Sequence, residues 1–265
     1  MTPEQEMDST RQKDLYEWMH DEYEAGYFDQ ESMRYRRRFI FTPLFRGFDL
    51  NGKNVAELAC GSGYNSKEIL SIFPSSRITG FDISSKACQA YRKVTGGQAY
   101  EQDLTRGYHG DEIFDAAVII SGLHHLVAGM DNALATIASM IKPGGALLLA
   151  EPNGGFFLEA ARKLWYRMDM YFDASTERAL RHDELTARAA PFFTADTVVY
   201  VGGPAYFLVL NSMIFRISPD VKRLISGPAM AAERIYNLMP GRWPFPYFIA
   251  QWRRTDIPAP SLRHV

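Results

Sequence analysis

The stretch Val55-Ala-Glu-Leu-Ala-Cys-Gly-Ser-Gly63 constrains this chain more than any other. A short apolar run carrying one carboxylate, Glu57, breaks into two glycines one residue apart, and a helix-compatible segment follows from Tyr64. Strand, glycine turn and helix in that order belong to a parallel α/β sheet, and glycines at the turn let the backbone approach a bound molecule with no Cβ in the way. From Gly52 to about Asn153 apolar runs alternate with longer mixed segments, which predicts strands over 53–59, 77–82, 98–102, 114–121 and 145–151. Helices fit between them at 63–73, 84–95 and 130–141, with Ser84 and Asp131 as N-caps and Pro143-Gly144-Gly145 stopping the last.

Flanking this core, residues 8–46 pattern as helix with Leu15, Trp18, Met19, Tyr23, Phe39, Phe41 and Phe45 as apolar anchors, and should cover one edge of the cleft. Residues 155–190 read as further helix, and 197–201 and 246–252 as the last strands. Between those strands, an apolar insertion at about 204–241 resembles a helical hairpin. The expected organisation is an N-terminal helical cover over 1–50 and one α/β domain over 51–265.

Composition narrows the function classes. With only Cys60 and Cys88 there is neither a disulfide framework nor a thiolate cluster for zinc. A net charge of −2 gives no general attraction to nucleic acid, and the run Arg34, Arg36, Arg37, Arg38 follows a strongly acidic segment instead of spreading over a face. The amino terminus lacks a basic n-region, and no apolar run approaches the roughly 18 residues of a membrane span, so a cytoplasmic location is expected.

Glu57 lies in an apolar strand, where a carboxylate without a partner is costly, so backbone amides or a ligand ammonium should meet it. Asp82 falls 19 residues beyond Gly63 at a strand end, where a carboxylate can accept two hydrogen bonds from a ribose diol; a plain turn residue is the alternative. The expected pattern of a dinucleotide-binding turn puts a third glycine where this chain has Ser66, which counts against an NAD-dependent oxidoreductase.

The motifs Glu57-Leu-Ala-Cys-Gly-Ser-Gly63, Gly80-Phe-Asp82-Ile-Ser, Glu101-Gln-Asp103-Leu, Phe114-Asp-Ala-Ala-Val-Ile-Ile-Ser-Gly122 with Leu-His-His-Leu126, and Ile141-Lys-Pro-Gly-Gly145 follow one another in order. Together they resemble the Rossmann-like, class I S-adenosylmethionine-dependent methyltransferases over roughly residues 50–155. The resemblance implies a mostly parallel seven-stranded sheet with an antiparallel last strand, S-adenosylmethionine as donor, S-adenosylhomocysteine as product, and no metal. It implies cofactor contacts from Glu57, Ala59, Cys60, Gly61, Gly63 and Asn65 at the first turn, then Asp82 and Ile83, then Gln102, Asp103 and Leu104, then Ser121 and Gly122. The family commonly has glycine where this chain has Ala59, which narrows the approach on that side. Relatives often close the methionine end with a tyrosine and an arginine, pointing here to Tyr27 and Arg38, with a solvated basic helix face as the alternative for the arginine run.

Methyl transfer is an in-line displacement on an activated carbon, so the protein supplies alignment, water exclusion and, for some acceptors, proton removal. His124 or His125 could be that base, with a packing role as the alternative, and Glu151 is a further cleft residue. The expected acceptor is a hydroxyl or amine of a small molecule such as a sugar, a natural product or a lipid-linked glycan. Acceptor choice falls to the 204–241 insertion with Trp165, Tyr166, Met168, Met170, Tyr171 and Phe172, where a packed helical core is the alternative. Lys222, Arg223 and Arg234 in an amphipathic helix allow peripheral membrane contact. A non-catalytic binding or scaffold protein is the remaining reading.

Overall fold

The computed structural model describes residues 27–108, 110–166 and 178–256, and the side chains of Lys163, Trp165 and Tyr166 are not among those described. The anchors Leu15, Trp18, Met19 and Tyr23, and Met168, Met170, Tyr171 and Phe172 of the acceptor reading, lie outside this set. Seven strands form one sheet, β1 (Asn54–Leu58), β2 (Arg77–Asp82), β3 (Gln98–Glu101), β4 (Phe114–Ile120), β5 (Ile141–Pro152), β6 (Phe193–Val201) and β7 (Tyr247–Arg254), in the order β3-β2-β1-β4-β5-β7-β6. The first five are mutually parallel, β7 is antiparallel to both β5 and β6, and the predicted mostly parallel sheet with an antiparallel last strand is what forms.

The central strands are apolar on both faces because helices cover both. Val118, Leu148 and Ile249 point into a core shared with Phe39, Phe41, Leu44 and the insertion's Val209 and Met230. Ala117, Leu147, Leu149 and Phe248 point the other way, toward the helix α4 (Met130–Met140) and toward Leu185 of α6 (His182–Ala189). The predicted helices over 63–73 and 84–95 appear as α2 (Tyr64–Ile72) and α3 (Ser85–Thr95), the latter capped by Ser84, whose Oγ accepts from Ala87 N at 3.2 Å.

Asp131 is not the cap of α4; Gly129 occupies that position, and Asp131, in the first turn, instead pairs with Arg188 of α6 at 2.7 Å. Pro143-Gly144-Gly145 stops α4, yet it is a bulge within a longer strand: β5 pairs at Ile141↔Phe114 and resumes at Ala146↔Ala116, with Gly144 at φ +73° absorbing the extra residues. The stretch read as further helix over 155–190 holds, among the described residues, α5 (Glu159–Tyr166) and α6.

Before β1 come α1 (Gln30–Tyr35), a π-helical segment Arg36–Phe41 and a single helical turn Thr42–Leu44. The insertion contains a second π-helical segment, Tyr206–Leu210, a 3-10 segment Ser212–Phe215 and the 18-residue α7 (Pro219–Tyr236). Polar side chains tie α1 to α7: Tyr35 Oη donates to Glu233 at 2.7 Å, Lys222 donates to Asp29 and Ser32, and Arg34 donates to Ser226 at 2.7 Å. Burial pushes the Glu233 carboxyl up, and its second oxygen accepts the amides of Ala205 and Tyr206. Among the described residues no helix is long and apolar enough to cross a membrane.

Candidate active site

In a doubly wound sheet ligands bind beyond the carboxyl ends of the strands, where the chain reverses its direction of winding, here between β1 and β4. Two non-glycine residues with positive φ mark that point, Ala59 at +50° after β1 and Ser121 at +56° after β4. A Cβ added to Gly122 would lie 2.7 Å from the Ala59 Cβ, so the two strand ends meet here and both are held in a backbone region that L residues avoid. The family's glycine at the Ala59 position thus corresponds to a left-handed conformation that Ala59 adopts under strain.

Gly61 and Gly63 have φ of +52° and +81°. At Gly63 a Cβ would come within 2.6 Å of both Thr95 and Tyr91, so glycine is required there sterically, whereas at Gly61 nothing lies within 4 Å and the missing side chain leaves open space. Asp82 receives the loop: Oδ2 accepts from Gly61 N and Oδ1 from Ser84 N, both at 2.9 Å. This half-buried carboxylate thus pins the turn through both of its oxygens. Ile83 follows it, half-buried.

Glu57 finds its partners within the protein. Ser66 Oγ donates to it and also bonds Tyr91 Oη at 2.7 Å, so the side chain at the third-glycine position is a fully buried hydroxyl tying α2 to β1 and α3. Burial pushes the Glu57 carboxyl up to about 8, against the downward pull of hydrogen bonds from Ser66 and Asn65. Cys60 is buried beside them and its thiol is pushed up by burial.

Two buried polar atoms near this loop have no hydrogen-bond partner among the described residues: Asn65 Oδ1 and Arg36 Nε. The Arg36 residue is 5% exposed and its guanidinium lies 4.6 Å over the ring of Phe28, which stacks on Tyr64, the first residue of α2, at 5.1 Å. An orphan acceptor and a buried guanidinium with no ion pair among the described residues suit a ligand carrying both an ammonium and a carboxylate. Arg38, by contrast, is exposed with its guanidinium 5.6 Å over Phe39; Tyr27 is buried.

After β3 the Gln102 side chain donates to Asp103 O and Gly107 O at 2.8 and 2.7 Å, shaping the turn. Asp103 caps the following 3-10 turn, accepting from Thr105 N at 2.8 Å, and Leu104 is buried in the second core.

On the other side of the switch point Glu151, with no exposed surface, is a clamp. Its Oε1 accepts Gly122 N at 2.9 Å and Leu123 N at 2.8 Å, and Oε2 lies 2.8 Å from His124 Nδ1. A carboxylate at Nδ1 fixes the tautomer in which Nε2 is the basic nitrogen. His125, half-buried, packs its ring 3.8 Å from that of His124 at 40°. Ser121 Oγ meets Tyr247 Oη at 2.6 Å, and burial followed by the nearby Glu151 charge raises the Tyr247 phenol.

Sequence reasoning missed Arg36, Phe28, Tyr64 and Tyr247. A signal existed for Arg36, since Tyr35, Phe39 and Ile40 around it are the buried face of the segment. Tyr247 offers none, because only sheet pairing brings it beside Glu151 and Pro152.

Residues 56–147 match the family model described as a methyltransferase domain. The chain is 32% identical over 137 residues to the demethylmenaquinone methyltransferase of Mycobacterium tuberculosis, covering 51% of this chain and 56% of that protein. The match thus spans about half the length of this curated relative. In fold it resembles a methyltransferase of Thermotoga maritima described as S-adenosylmethionine-dependent, with TM-score 0.58 and 16% identity over 91% of this chain and 98% of the other. It also resembles the N-methyltransferase NodS of Bradyrhizobium japonicum in complex with S-adenosylhomocysteine, with TM-score 0.50 and 15% identity over 89% of this chain and 98% of the other.

Proposed function

We propose that this chain, whose residues 56–147 match the methyltransferase-domain model, is a class I, Rossmann-like S-adenosylmethionine-dependent methyltransferase and that it methylates a hydroxyl or amine of a small molecule. The observation that carries the reading is the pair of orphan polar atoms, Asn65 Oδ1 and Arg36 Nε, beside a glycine turn pinned by Asp82. They match the ammonium and carboxylate of a methionine moiety, and Asp82 matches the ribose that accompanies it. Bound there, S-adenosylmethionine supplies a methyl group already activated by its sulfonium.

The residues then have separable tasks. Arg36, in place of Arg38, holds the carboxylate end, because it is the buried guanidinium. Asp82 takes ribose hydroxyls, Gly61 leaves the approach open, and the Gln102–Leu104 turn borders the base. Cys60 and Ile83 support the loop and strand end as packing, while Tyr27 closes the methionine end beside Phe28. Ser121 and Gly122 form the floor between the two halves of the cleft.

His124 is the better placed of the two histidines to accept a proton, since Glu151 fixes its tautomer. Glu151 acts through His124 and the Gly122–Leu123 amides and is a positioning residue. Alignment and exclusion of water carry the remaining rate. The acceptor belongs to the small-molecule class: a lipid-linked glycan, a sugar or a natural product.

Calorimetry tests the reading directly. S-adenosylhomocysteine should bind the wild type, and Arg36→Ala should weaken it about tenfold or more while leaving methylthioadenosine, which lacks the amino-acid end, unchanged. No heat with either the donor or its demethylated product would sink the assignment.

A further inference from the structure

The strand directions place the whole insertion at the cleft. Because β6 runs parallel to β5 and β7 returns antiparallel, residues 202–246 leave and re-enter the sheet at the same carboxyl edge as the glycine loop, Asp82 and His124. The segment after β5, carrying α5, starts from that edge too. Of the fifteen large apolar side chains exposed among the described residues, ten belong to these two segments. That concentration exceeds the scattered apolar exposure of an ordinary soluble surface.

Helix α7 organises it. Its inward face carries Lys222, Ser226, Ala229, Met230 and Glu233, all buried. On the opposite side Val221, Leu224, Pro228, Ala231 and Ile235 recur at three- and four-residue steps, and Leu238 follows in the turn after the helix, with Leu224 79% and Leu238 82% exposed. Trp243, 59% exposed, adds apolar surface at the end of the insertion and packs edge-on against Phe157. Small residues at the middle of the stripe, Pro228 and Ala231, provide no knobs for a paired helix.

Charge selects the occupant. In a chain of net charge −2, residues 204–243 carry five cations against two carboxylates. Arg216, Arg223, Arg234 and Arg242 are exposed, while Glu233 is buried. Arg223 and Arg242 pair with Asp220 and Asp183, and Arg216 and Arg234 pair with no carboxylate among the described residues. An apolar stripe bordered by arginines and a tryptophan is the makeup of a helix that lies in a lipid interface.

We propose that the outward face of α7, with Trp243 and Phe157, docks on an anionic membrane surface so that the cleft edge takes its acceptor from the bilayer. The acceptor half of this statement rests on the methyltransferase reading; the docking half does not.

Flotation of the purified full chain with vesicles separates the two. Wild type should float with phosphatidylglycerol-containing vesicles at low salt, and much less with pure phosphatidylcholine or at high salt. The double variant Leu224→Asp/Leu238→Asp should lose about nine-tenths of the floated protein or more, while its S-adenosylhomocysteine affinity and thermal midpoint stay at wild-type values, since both side chains are exposed. Absence of flotation by the wild type, or flotation equal to wild type by the variant, would overturn the docking. A vesicle-free dimer that the same variant dissolves would also overturn it, by assigning the stripe to a second copy. Intact flotation with no binding of S-adenosylhomocysteine would leave docking standing and sink the enzymatic reading alone.

Discussion

On the β1–β2–β3 half of the carboxyl edge the side-chain hydrogen bonds that hold the loop span 25 residues or fewer, whereas on the β4–β5–β7 half they span 27 to 126. Glu57, Gly61, Asp82 and Asp103 all belong to short motifs, and their contacts run mainly to neighbouring turns and backbone amides. His124, by contrast, is held by Glu151, 27 residues away, and Ser121 by Tyr247, 126 residues away. The first half is a surface set by turn geometry. In the second, Glu151 holds His124 and Tyr247 holds Ser121 across the sheet, so that losing one member strands its partner.

That contrast can be broken by substitution, beginning with the largest effect. Glu151→Ala removes the acceptor for two buried amides and the His124 ring, and should cost about 3 kcal/mol of stability by denaturant unfolding. If the halves are independent, the folded variant keeps S-adenosylhomocysteine affinity within about threefold of wild type. A large loss of affinity would show the two halves to be one network. Asp82→Ala probes the other side and should reverse the pattern. Calorimetric affinity for S-adenosylhomocysteine falls about 10- to 100-fold, as charge-assisted bonds to hydroxyls are lost.

Glu57 sharpens the comparison through pH. Its carboxyl is raised from an ordinary 4.5 to about 8, chiefly by burial, so between those values the folded protein keeps a proton that the unfolded chain has released. Stability of the cofactor-free protein should therefore fall as pH rises across that window, and the loss should be complete above it. Glu57→Gln carries no titrating group and should flatten this part of the profile in thermal melts. A wild-type and variant difference that does not grow with pH would place the Glu57 proton elsewhere.

The smallest expected effect is at the junction of the halves. Ala59→Gly relieves a left-handed alanine, worth about 1–2 kcal/mol, and adds unfolded-chain entropy of about 0.4–1 kcal/mol, for a net stabilisation of about 0.5–1 kcal/mol. Destabilisation instead would mean that the Ala59 Cβ packing against Gly122 outweighs the backbone strain.

The same asymmetry explains what could be read before folding. The strand and helix succession from Asn54 to Pro152 was legible because both sheet faces are covered, which makes each central strand an apolar run bounded by glycine, proline and polar turns. Asp131 was misread as a cap because an Asp just inside a helix and one just before it look alike in sequence; its partner, Arg188, is 57 residues away. The arginine run was legible as a cluster but not residue by residue. Burial of Arg36 and exposure of Arg38 depend on how the π-helical segment packs its face, and an extra residue per turn defeats ordinary helical periodicity.

By itself the sequence determined the parallel sheet, the glycine turn and its carboxylates, since steric and hydrophobic rules acting over a few residues leave little choice there. Packing across the sheet decides that Glu57 is satisfied by Ser66, that Glu151 is a buried clamp on His124, that Arg36 and not Arg38 is the buried guanidinium, and that the insertion turns an apolar stripe outward at the carboxyl edge. Those are pairings across 9 to 126 residues, set by which strands lie side by side, and nothing local encodes them.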